Sequence, residues 1–169
     1  MGFQLKSRLR TAAIAASLAV PTALAGDAED TVTATLHAFR VEQAAGSPER
    51  LIPALEARAG DIVEYRAEYR NHGKTTVRNL EVAVPLPLGM TYVAGSAQPA
   101  SVLASEDGVA FGPVPLLRTV TDARKRERLT PVPLADYRFL LWRIARIEAE
   151  SSVLLSLRMK VTRPPTAVK

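Results

Sequence analysis

Beyond residue 60 the chain alternates apolar and polar residues over several stretches, the two-residue period of a strand with one buried face. In Asp61–Arg70, Val63, Tyr65, Ala67 and Tyr69 fall on one side, and Glu64, Arg66, Glu68 and Arg70 alternate in sign on the other. Near the C-terminus, Val153, Leu155, Leu157, Met159 and Val161 oppose Ser152, Ser156, Arg158 and Lys160, with Leu154 the apolar exception on the wet side. Leu80, Val82 and Val84 make a shorter copy that Pro85 stops, because proline has no amide to give a ladder. Phe139–Ile144 is apolar on both sides and predicts a central strand.

Two segments depart from this simple alternation. In Val32–Val41, Val32, Ala34, Leu36 and Ala38 share a face before Phe39 and Val41 take over the opposite one, which predicts a bulge near His37 and a first strand that passes from one sheet to another. Leu51–Ala57 is a weaker strand, interrupted by Pro53. Between Pro113 and Pro133, Leu116–Val120 and Arg128–Val132 flank a polar stretch, so this part predicts a hairpin-like excursion with a basic tip. Many short strands, with no convincing amphipathic helix after the leader, predict an all-β antiparallel sandwich.

The punctuation between the strands is informative. Ala59-Gly60-Asp61 opens the Tyr-rich strand, and Asn71 and Gly73 suit a hairpin turn that needs left-handed backbone, with His72 exposed between them. Pro85 and Pro87 end the next strand, Gly89 permits a positive-φ turn, and Met90, Tyr92 and Val93 return to apolar packing before Gly95-Ser96. With these features, Ala57–Ser96 resembles the core signature of the domain of unknown function 11 (conserved repeat) family. The resemblance extends over about Leu51–Thr162, through a Trp142-Arg143-Ile144 strand and the apolar strand after it. It implies an immunoglobulin-like β-sandwich of the kind carried by bacterial surface and secreted proteins, and no particular biochemical task. The chain departs from the family at Ile147–Ser151, where a turn glycine is usual and none stands.

The first 25 residues read differently. Lys6, Arg8 and Arg10 precede the short apolar run Thr11–Val20, and Ala23-Leu24-Ala25 forms an A-x-A site before Gly26, the pattern of a cleaved signal peptide. Pro21 breaks the run well short of the roughly 20 apolar residues a membrane span requires. The expected organisation is therefore a signal peptide at 1–25, a sandwich at 26–162 and a C-terminal tail at 163–169, exported to the periplasm or to the cell surface and beyond. No later segment is long and apolar enough to span a bilayer.

Charge and composition then narrow the function. Of the 22 Lys+Arg, three lie in the leader and none of the 17 Asp+Glu do, so residues 26–169 carry 19 cationic against 17 acidic side chains, a net +2. That is no general field for nucleic acid. The chain has no cysteine, which rules out a lipid-modified cysteine and a disulfide framework alike. The two histidines, His37 and His72, lack a spaced partner for a metal, and no nucleophile elbow or glycine-rich phosphate loop appears. Glu148 and Glu150 sit in an expected turn and read as solubilising charges. No catalytic residue, metal ligand or cofactor is implied. Trp142, Tyr65 and Tyr69 read as core rather than as a stacking patch for a ligand.

One candidate contact remains. Arg124, Lys125, Arg126 and Arg128 at the tip of the excursion suit an anionic partner such as an acidic protein, lipopolysaccharide or a phospholipid surface, and equally describe a solvated loop without the interleaved aromatics of a nucleic-acid site. The expected function is a non-catalytic structural or adhesive module of the bacterial envelope that binds an envelope or surface protein or its own copies. The alternative is a periplasmic binding or chaperone-like protein that holds clients on an exposed edge strand.

Overall fold

The computed structural model describes residues 31–43 and 45–162. The segment 1–25, expected to be a signal peptide, and the expected tail 163–169 lie outside the described residues. The chain is all-β, as the alternation predicts. Among the described residues, eleven strands form three antiparallel sheets: β1 (Val32–Glu42), β2 (Arg50–Pro53), β3 (Ile62–Asn71), β4 (Val77–Pro85), β5 (Met90–Tyr92), β6 (Leu103–Ser105), β7 (Gly112–Pro113), β8 (Leu117–Thr121), β9 (Glu127–Pro131), β10 (Phe139–Ile147) and β11 (Ser152–Val161). A short 3-10 turn, Leu134–Asp136, precedes β10. Among the described residues no helix is long and apolar enough to cross a membrane.

The first sheet runs β2-β1-β3-β11-β5, the second β4-β10-β6-β7, and among the described residues β8 and β9 pair only with each other. The chain passes between the two larger sheets at β3 to β4, β4 to β5, β5 to β6 and β10 to β11. One core cluster collects the inward side chains of both: Val63, Tyr65, Leu155, Leu157 and Met159 from the first, Val82, Val84, Leu140 and Trp142 from the second. These are the faces the two-residue period marks out. Burying large aliphatic side chains contributes about 1.5–3 kcal/mol each, the main force holding the sheets together in a chain without disulfides. Trp142 is 2% exposed, and its ring N–H donates to the Pro99 carbonyl at 2.9 Å, so its one polar atom is not stranded.

The corner after β4 forms as expected. Pro85 ends the strand, Gly89 takes φ 84°, and Met90 and Tyr92 turn back into the core. Phe139–Ile147 lies between β4 and β6, a central strand as its two apolar faces predict.

Three expectations are corrected. β1 carries no bulge: its pairing with β3 runs in one unbroken register from Val32 opposite Asn71 to Val41 opposite Ile62, and the strand stays in one sheet. Phe39 is apolar on the outer face because the Arg66 guanidinium lies over its ring, 5.5 Å from the centroid, so it covers a cation instead of entering the core. Asn71 and Gly73 do not make a left-handed turn. The positive-φ residues nearby are Asn79 (54°), inside β4, and Glu150 (55°), at the β10–β11 turn. Gly73 is needed for space: a Cβ there would meet Asn71 Oδ1 at 3.1 Å and Thr31 Cβ at 3.2 Å.

Candidate functional site

The predicted excursion is a two-stranded ribbon anchored in the core and exposed along its length. At its base the Leu116 N–H donates to the Tyr137 hydroxyl at 2.7 Å, and the Val132 N–H donates to the Leu116 carbonyl at 2.8 Å. Tyr137 and Val132 are buried, and the Tyr137 ring stacks on Tyr92 with centroids 6.3 Å apart. Arg118 adds ion pairs to Glu106 at 3.0 Å and Asp136 at 3.8 Å. Beyond this footing, all ten residues of β8 and β9 are exposed.

The register divides the ribbon into two faces. Leu117 pairs with Pro131, Thr119 with Leu129 and Thr121 with Glu127; Arg118 pairs with Thr130 and Val120 with Arg128. Side chains directly opposite share a face and alternate along the strands. One face therefore presents Leu117, Leu129 and Pro131, with Leu129 68% exposed, and the other presents Val120 between Arg118 and Arg128.

Asp122 builds the tip. Its Oδ1 accepts the N–H groups of Arg124 at 2.8 Å and Arg126 at 3.0 Å, its Oδ2 accepts the Arg126 Nε–H at 3.0 Å, and Lys125 takes the left-handed conformation with φ 57°. A three-residue hairpin loop closed by a left-handed residue has this form. The Arg126 amide, with the Arg124 amide and the Arg126 guanidinium, holds the Asp122 carboxyl below its ordinary pKa. The four predicted cations therefore divide. Arg126 is spent on the turn, whereas Arg124, Lys125 and Arg128 make no ion pair among the described residues and are all exposed.

A second polar constellation, on the outer face of the first sheet, was not legible as a unit. Register places Glu64 of β3 opposite Arg158 of β11. Glu64 Oε1 accepts from Arg66 Nε at 2.7 Å, Glu64 Oε2 from Arg158 Nε at 2.8 Å, and Arg158 makes two further bonds to Glu49 at 2.8 and 3.2 Å. Glu64 is only 5% exposed, although its strand alternation put it on the wet face. Burial pushes its carboxyl up, but the hydrogen bonds and charges of Arg66 and Arg158 outweigh that and hold its pKa below the ordinary value. An open depression of about 430 Å³ lies beside this pair, lined also by Gly95, Ser96, Gln98 and Ser156. Its charges satisfy one another, which makes it a stapled surface more than a vacant receptor.

The histidines stay apart. His72 Nε2 meets Thr33 Oγ1 at 2.9 Å, and His37 leans on Phe39 with ring centroids 6.2 Å apart. Among the described residues, no three His, Cys, Asp or Glu side chains come together as a metal site. No family model, curated protein or solved structure matches the chain.

Proposed function

We propose that this protein is an exported, non-catalytic immunoglobulin-like β-sandwich that serves as a structural or adhesive module of the bacterial envelope, with the β8–β9 ribbon as its contact arm. The ribbon carries this reading. An isolated two-stranded hairpin is marginal in water, yet this one is rooted on Tyr137 and Arg118 and holds its apolar residues and three unpaired cations in solvent. Exposed apolar side chains beside unpaired cations suit a partner that supplies an apolar contact rimmed by acidic groups, such as an envelope or surface protein. The immunoglobulin-like assignment is supported by two antiparallel sheets that share a core, by the chain passing repeatedly between them, and by the Pro85–Tyr92 corner.

The test is fractionation of cells producing a tagged chain, wild type against Arg124→Glu/Lys125→Glu/Arg128→Glu with Leu129→Ser. Wild type is expected in the envelope fraction or outside the cell, and the variant is expected to be released with an unchanged melting temperature. A wholly soluble periplasmic wild type, or a variant retained like wild type, contradicts the proposal.

A further inference from the structure

The free edge of β1 fits a second copy of this chain. β2 pairs with β1 only at Phe39–Glu42, so the other side of the strand from Val32 to Ala38 faces no strand among the described residues. The ladder fixes which backbone groups are left over. The His72 N–H donates to the Thr31 carbonyl, on the β3 side, and the Ala54 N–H donates to the Ala38 carbonyl, on the β2 side. Backbone groups of an antiparallel strand alternate in direction. Odd-numbered residues of β1 therefore bond β3, and Val32, Ala34 and Leu36 direct their N–H and C=O groups to the open edge.

Proteins commonly blunt such edges with charge, proline or a kink. The outer edge of the second sheet is treated this way. β4 ends in Pro85, carries Arg78 and Glu81, and is kinked at Asn79 by φ 54°, where its ladder with β10 skips a pair. The edge of β1 has none of these devices: the residues from Val32 to Ala38 are Val, Thr, Ala, Thr, Leu, His and Ala.

We infer that two copies of this chain pair antiparallel along the free β1 edge, with Ala34 opposite its own counterpart on the two-fold axis. In this register Val32 faces Leu36 and Thr33 faces Thr35 of the other copy. The three outward residues of each strand then exchange about six backbone hydrogen bonds. Thr–Thr pairs are favourable across strands, no like charges are opposed, and two five-stranded sheets become continuous. A contact of this length buries less than the roughly 1,600 Å² of a standard interface, so the dimer is weak and concentration dependent. This inference stands on the β1 edge and is independent of the ribbon.

Sedimentation of the purified protein across a wide concentration range tests it. Ala34→Pro removes an outward N–H while leaving the β3 ladder intact, and weakens the dimer by about tenfold or more with little change in melting temperature. Thr33→Lys/Thr35→Lys puts like charges opposite one another and dissociates it. Thr33→Glu/Thr35→Lys puts opposite charges across the axis, pairs each with Arg70 and Glu68 of its own β3, and tightens it. A wild type that stays monomeric throughout overturns the inference. So does an association that all three variants leave unchanged, or one in which the edge takes up an unrelated extended peptide in preference to its own copy.

Discussion

The Asn71 side-chain amide donates to the Ile147 carbonyl at 3.2 Å, tying the end of β3 in one sheet to the end of β10 in the other. The same nitrogen serves Glu148 at 3.1 Å and Thr75 at 2.8 Å, while Oδ1 accepts the Gly73 N–H at 2.9 Å. Asn71 is fully buried and Ile147 nearly so, so the bond between them has no water to fall back on. Asn71→Ala is expected to cost about 3 kcal/mol, since it strands the buried Ile147 carbonyl as well as removing the other bonds. Asn71→Asp keeps the shape but replaces the donor with a carboxylate facing carbonyl oxygens, and should cost at least as much at neutral pH. Urea denaturation of both variants checks this; a loss below about 1 kcal/mol for Asn71→Ala would show that the staple is dispensable.

Glu64 links stability to acid. Its pKa is lowered in the folded chain, so the stability it contributes is present above the unfolded value near 4.5 and is lost as pH falls through the folded value. Glu64→Gln should lower stability by about 2 kcal/mol at pH 7, the order of a charge-assisted hydrogen bond, and flatten the acid limb of the stability curve. Removing Glu49 should matter much less, because its pair with Arg158 is half-exposed. Equal acid limbs for wild type and Glu64→Gln would refute this assignment.

Much of the architecture was legible because a two-residue period states which side chains are buried, and β3, β4, β10 and β11 follow it. What the period lacks is the identity of the neighbouring strand. Phe39 read as a core residue displaced by a bulge because its cover, Arg66, lies 27 positions away on β3. Glu64 read as solvated because Arg158 and Glu49 come from distant parts of the chain. β5, β6 and β7 are too short, at two or three residues, for any period to declare itself. The basic tip was legible as a group, but its division into one structural and three unpaired cations depends on Asp122, whose role appears only in three dimensions.

The last hairpin turns without a glycine, and this makes a further prediction. Glu150 occupies the left-handed region at φ 55°, a conformation that costs an L-residue with a Cβ roughly 1–2 kcal/mol. Glycine relieves this at the expense of a larger unfolded-state entropy. Glu150→Gly should therefore raise stability by up to about 1 kcal/mol, and Glu150→Val, β-branched and unsuited to positive φ, should lower it. Thermal melts of the pair decide the matter; a destabilised Glu150→Gly would mean that the carboxylate has a role beyond the turn.

The hydroxyl of Tyr65 is buried with no hydrogen-bond partner among the described residues, in contrast to Tyr137 and Tyr92, whose hydroxyls both accept backbone amides. A stranded polar atom subtracts from the stability its ring supplies, so Tyr65→Phe should gain about 1 kcal/mol by deleting the oxygen without opening a cavity. The effect has a pH signature. Burial raises the Tyr65 pKa above the unfolded value of 10.0, so the folded chain resists its ionisation, and the associated stability is lost as pH climbs past that value. Tyr69 is raised for the same reason and remains in the variant. Tyr65→Phe should thus lose less stability than wild type on the alkaline side while keeping a residual slope from Tyr69. If instead the variant is less stable at neutral pH, the hydroxyl is bonded to a buried water, and the core at β3 is wetter than its apolar lining suggests.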